Sequence, residues 1–125
     1  MTDRQLPDFD VMIALANEIG NLKKVILLNK GKLDVKTAQI TQDVLSNETF
    51  WGKDKKQPSM ASIEKTFLIV GRNDEETVEL ATLRAEIARD EGLAKQKDLL
   101  FQVYRDMIDV WRTESANKRG AYLDA

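Results

Sequence analysis

Two kinds of residue cluster in this chain could do chemistry. Carboxylates gather at Glu75-Glu76-x-x-Glu79 and again at Asp106-x-x-Asp109. On helices, that spacing places acids on neighbouring turns, where they could hold a hard cation such as Mg²⁺. Lysines gather at Lys23, Lys24, Lys30, Lys32 and Lys36, with Asp34 as the one acid in that stretch, and at Lys53, Lys55 and Lys56 beside Phe50 and Trp51. A third basic pair, Lys118-Arg119, precedes Tyr122. Basic groups interleaved with aromatics can track a phosphate backbone while the rings stack on bases. The candidate nucleic-acid contacts are therefore Lys30, Lys32, Trp51, Lys53, Lys55, Lys56, Lys118 and Arg119. The acidic stretch from Asp74 to Glu91 confines such binding to one end of the molecule.

The acidic spacing resembles the EExxE…ExxD signature of the all-α NTP pyrophosphohydrolases (the MazG and dimeric dUTPase superfamily), with Asp106 standing where the family carries Glu. That resemblance implies Mg²⁺ held by Glu75, Glu76, Glu79, Asp106 and Asp109 from facing helices. Helix geometry opposes it. With Tyr104 at zero and 100° per residue, the Phe101/Ile108/Trp111 seam centres near ~20°, while Asp106 falls near ~200° and Asp109 near ~140°. The second pair then points away from the seam, and no clear turn separates the two clusters. The plainer reading is acids that complement a helix dipole, followed by an exposed face. No catalytic residue and no metal ligand is assigned. In layout alone, Gly71-Arg72, a charged helix and Lys118-Arg119-Gly120 resemble small phage recombination mediators that help load a recombinase on single strands, without a diagnostic motif.

Composition removes other chemistries. The 125 residues contain no cysteine and no histidine. Disulfides, thiolate nucleophiles, imidazole bases and the usual Cys/His metal sites are thereby excluded. Gly52-Lys53 lacks the upstream glycine spacing of a phosphate-binding loop, and no serine has a histidine to activate it. No cofactor is expected. Net charge is −2, with 42% apolar and 32% charged residues, which fits one ordinary folded domain with long solvated helix faces. The Met1-Thr-Asp-Arg-Gln5 start carries an acid and leads into no apolar block, and Val25–Leu28 and Phe67–Val70 are far too short to span a bilayer. A soluble cytoplasmic protein with no membrane association is expected.

The elements that would position these residues are all helical. Leu6-Pro7-Asp8 opens a first helix over about residues 9–30, with Asp8 or Asp10 as cap and Gly31 placed to end it. A second helix covers about 34–46. One bent helix over 9–46 is the alternative, since an interior glycine costs only about 1 kcal/mol. Residues 47–58 form a basic loop from which Phe50 and Trp51 tuck back. Ser59 caps a short helix over 59–70, although Thr66–Val70 also reads as a buried strand with nothing to pair with. Asn73 followed by Asp74, Glu75 and Glu76 is the strongest helix start, and the final helix runs over about 75–117, with a kink at Gly92 as an option.

Two apolar stripes bind these elements together. One runs Met12, Leu15, Ile19, Leu22, Ile26, Asn29 and Leu33, and the other Leu80, Leu83, Ile87, Asp90, Ala94, Lys97, Phe101, Tyr104, Ile108 and Trp111. Spacing of 3 and 4 keeps one seam facing a partner helix. The chain therefore reads as an all-α helical hairpin or bundle with one long C-terminal helix and coiled-coil-like packing. A last helix of about 40 residues would span about 60 Å, more than the remaining helices could cover. Leu99 joins Leu100, Val103, Met107 and Val110 in an extra apolar face on it. The expectation is a non-enzymatic scaffold, adaptor or regulatory subunit, homo-oligomeric or bound to a protein partner through Leu100, Val103, Met107, Val110 and Trp111. Binding of single-stranded DNA or RNA is the alternative.

Overall fold

A computed structural model describes the backbone of residues 8–123 and the side chains of residues 8–118. The chain is all-α: helix α1 covers Phe9–Ser46, α2 covers Met60–Ile63, and α3 covers Asp74–Leu123. The long C-terminal helix packs against the first. A single 3₁₀ turn, Glu48–Phe50, lies in the basic loop, and α2 continues as a wider π turn over Glu64–Leu68. Residues 60–68 are thus helical rather than a strand, and Ile69 and Val70 form a turn, so the helix stops two residues short of the expected end.

Three helix starts follow from capping chemistry. Asp8 accepts from the Asp10 N–H through its carboxylate at 2.9 Å, Ser59 accepts from Ser62 at 3.2 Å, and Asn73 accepts from Glu76 at 2.8 Å. The expected opening at Leu6-Pro7 lies outside the described residues. Helix ends are less conventional. α1 does not stop at Gly31: Ile26 and Asn29 before it and Ile40 and Val44 after it are all buried, so continuous packing outweighs the glycine. The α1 end is held by side chains from the loop, where the Trp51 indole N–H donates to the Val44 carbonyl at 3.0 Å and the Gln57 amide to Leu45 at 2.9 Å. These serve two of the carbonyls that a helix terminus leaves without partners. Arg84 does the same after α2, donating to the Leu68 and Ile69 carbonyls at 2.6 and 3.4 Å. α3 neither breaks at Gly92 nor ends near Asn117; it continues through Lys118-Arg119-Gly120 to Leu123.

The chain divides into two compact units. The unit Lys24–Glu91 centres on Ile40, Val44, Ile63 and Leu80, each with no exposed surface, surrounded by Leu33, Leu45, Phe50, Phe67 and Leu68. Phe50 and Phe67 meet edge to face, their centroids 5.7 Å apart, which is how the basic loop is fastened to α2. Gly71 makes the turn into α3. Its φ is +79°, and a Cβ there would lie 2.7 Å from the Thr77 backbone nitrogen, so only glycine fits. The other unit combines the residues up to Lys23 with those from Gly92. Within it Met12, Leu15 and Ile19 on α1 and Ala94 on α3 are buried, and Lys97–Glu18 (2.6 Å) and Lys23–Asp98 (3.9 Å) link the two helices.

Candidate association surface

The residues expected to contact a partner lie together on one side of the C-terminal part of α3. Helical rotation places Leu99, Val103 and Val110 within about 40° of one another, with Met107, Leu100 and Trp111 following within the next ~80°. None is covered. Leu99 and Val103 are 60% and 52% exposed, and Leu100, Met107, Val110 and Trp111 between 37% and 44%. A soluble helix normally turns such a run inward. The seam beside it fades in the same direction. Leu80, Ile87, Asp90 and Ala94 are buried, Phe101, Tyr104 and Ile108 are half-buried, and Trp111 is exposed.

The polar positions within the seams are structural. Asn29 and Asp90 are buried, and Lys97 is ion-paired with Glu18. Among the described residues, no buried side-chain nitrogen or oxygen lacks a hydrogen-bond partner.

The lysines separate into two groups. Lys30 pairs with Glu91 at 2.7 Å, Lys36 with Glu79 at 3.2 Å, and Lys23 with Asp98, so those three are committed to the fold. Lys24, Lys32, Lys53, Lys55, Lys56 and Lys118 are exposed and, among the described residues, have no ion-pair partner. Trp51 is half-buried and its N–H is engaged, so it is a fastening for the loop rather than a free stacking platform. The Arg119 side chain and Tyr122 lie outside the described side chains.

The acids do not form the cation site that the pyrophosphohydrolase resemblance implies. Among the described residues, no three Asp or Glu carboxylates come together in a way that could hold a metal ion. Glu76 is buried and bound by Arg72, Glu79 faces Lys36, and Glu75, Asp106 and Asp109 are exposed.

Sequence reasoning missed the Arg72 node. The Arg72 side chain donates to Glu76 from Nε to Oε1 at 3.0 Å and from Nη2 to Oε2 at 2.9 Å, and from Nη1 to Asp43 at 2.8 Å, while its own backbone N–H also reaches Glu76 Oε1 at 2.9 Å. The guanidinium lies 5.9 Å from the Phe50 ring centroid. These hydrogen bonds hold the Glu76 carboxyl below the usual carboxylate range, against its burial, and raise the already high Arg72 value further. Arg72 precedes α3, so no helical spacing announces its pairing with Glu76. The Asp43 partner lies 29 residues away.

No known protein family matches this chain, and neither a curated protein nor a solved structure resembles it.

Proposed function

We propose that this protein is a non-enzymatic helical scaffold or regulatory subunit that associates with further copies of itself through the exposed face of α3. The observation that supports this most strongly is the run of Leu99, Leu100, Val103, Met107, Val110 and Trp111, all open to solvent on a helix that continues unbroken through Gly92. Burying that face against another helix removes apolar area from water, at about 25 cal/mol per Å². Trp111 is its largest side chain, and buried aromatics dominate interface energetics. Trp111→Ala is expected to weaken self-association about 30-fold, as for a ~2 kcal/mol hot spot, in sedimentation equilibrium run over a range of concentrations. An unchanged association constant would count against the assignment. No helix among the described residues is long and apolar enough to cross a membrane.

The second reading, an accessory protein for single-stranded nucleic acid, is favoured by Lys53, Lys55 and Lys56. They sit exposed in a loop fastened by Trp51, Gln57 and the Phe50–Phe67 contact; Asp54 lies between two of them, and among the described residues none of the three has an ion-pair partner. Reversing all three to glutamate is expected to abolish a mobility shift of single-stranded DNA while leaving the oligomeric mass intact. Single Lys→Gln changes at these positions, which keep binding measurable, should each make the salt-dependence slope shallower by about 0.7. A wild-type shift that does not respond to salt, or no shift at all, would discard this alternative.

A further inference from the structure

Within the unit Lys24–Glu91, an open groove of about 790 Å³ runs beside α1 and the start of α3, and Leu27, Leu28, Gly31, Val35 and Leu83 give it an apolar lining. Leu27, Leu28 and Val35 are 70%, 60% and 59% exposed, so the fold does not cover it. Lys24, Leu28, Lys32 and Val35 fall within about 80° of one another on α1. No acid shares that strip of α1; the groove's one acid, Glu79 on α3, is paired with Lys36, and among the described residues neither Lys24 nor Lys32 has an ion-pair partner.

Gly31 lines the same groove. A Cβ built on it would meet nothing within 4 Å, and α1 is helical on both sides of it. A single copy of the chain therefore gains nothing from glycine here and loses helix propensity. What glycine does allow is the close approach of another backbone.

A matching face exists on the same molecule's α3. Leu99, Val103, Asp106 and Val110 fall within about 60° of one another, the three apolar members exposed and Asp106 without an ion-pair partner among the described residues. An apolar strip carrying an acid is thus the charge complement of an apolar strip carrying two lysines.

We infer that the Gly31 groove of one copy receives the Leu99–Val110 face of α3 from a second copy, with Asp106 set between Lys24 and Lys32. This rests on the self-association proposed above and names the surfaces that make it. Each copy offers one groove and one strip, so the contact either closes reciprocally into a two-fold dimer or adds head to tail.

Two variants test this by light scattering on the full chain. Gly31→Leu fills the groove, and it retains the fold because its side chain points into open space and leucine is a better helix former. Val103→Asp with Val110→Asp charges the strip at two exposed positions. Each variant alone is expected to fall to the mass of one chain, with circular dichroism unchanged. Mixed, they are expected to give the mass of two chains and no more. The groove-filled copy still offers a good strip, and the strip-charged copy a good groove. Lys32→Glu is expected to weaken assembly at least tenfold, and adding Asp106→Lys to restore it. If wild-type protein assembles and Gly31→Leu assembles equally well, the groove is not the seat and this inference is overturned while self-association stands. A mixture that does not pair overturns the pairing of groove with strip. Wild-type protein that is monomeric throughout removes self-association itself.

Discussion

Arg72→Met should destabilise the unit Lys24–Glu91 by about 3 kcal/mol, several times the loss expected from an exposed ion pair. The Glu76 side chain is only 6% exposed, and Arg72 supplies both guanidinium hydrogen bonds to it; the nearest remaining cation, Lys36, stands 3.8 Å away. Removing the guanidinium leaves a buried carboxylate without its hydrogen-bonded cation, with the residue 72 backbone N–H still donating to it, and frees Asp43 and one face of Phe50 as well. Urea denaturation gives the value directly. The companion experiment is Arg72→Met with Glu76→Met, which should recover a good part of the loss, because apolar replacement of a buried pair removes the stranded charge. If the double variant is as unstable as the single one, the penalty lies in lost packing and the electrostatic explanation is wrong. The same node sets an acid limit. The folded-state value of Glu76 lies below its unfolded value, so its contribution is fully present above the ordinary carboxylate range. It is lost as pH falls through and below about 4. Glu76→Gln should remove that part of the acid sensitivity at the expense of stability near neutral pH.

Leu80→Ala should lose about 2–5 kcal/mol, the range for truncating a fully buried leucine. Leu80 has no exposed surface and shares its cluster with Ile40, Val44 and Ile63, drawn from three separate helical segments. Neighbouring side chains come from both long helices and from short α2, so they are poorly placed to collapse into the gap. Leu93→Ala, exposed by 40% on the same helix, should change stability by less than about 1 kcal/mol. Thermal unfolding of the two variants side by side checks both. A Leu80→Ala effect as small as that of Leu93→Ala would mean that the cluster is not the core of this unit.

How much could be read in advance depended on how local the determining contact was. Asp8, Ser59 and Asn73 declared their helix starts because a cap and its N–H lie within three residues. The 3,4-spaced seams likewise placed Met12, Ile19, Ile26, Leu80 and Ile87 inside. Gly31 misled the reading of α1 because ending and continuing a helix at a glycine differ by only about 1 kcal/mol, and buried neighbours on both sides decide it. Residues 60–70 were ambiguous for the same reason: a short apolar run fits a strand or a helix until its neighbours are known. The Asp43–Arg72 contact, the Phe50–Phe67 pair and the Trp51 bond to Val44 depend on how distant or irregular segments return to one another, and no periodicity encodes that. The division into two units was hidden as well, since both long helices run through it without a break. Of the candidate surface, the apolar strip on α3 was legible from composition, whereas the groove beside Gly31 depends on which α1 side chains α3 leaves uncovered.

The most direct test of helix-mediated association is the molar mass of the wild-type protein in solution, measured by light scattering from low to high micromolar concentration. One chain weighs 14.2 kDa. Association through the α3 face requires a mass of two or more chains that falls toward one on dilution. A mass of 14.2 kDa at every concentration would contradict it.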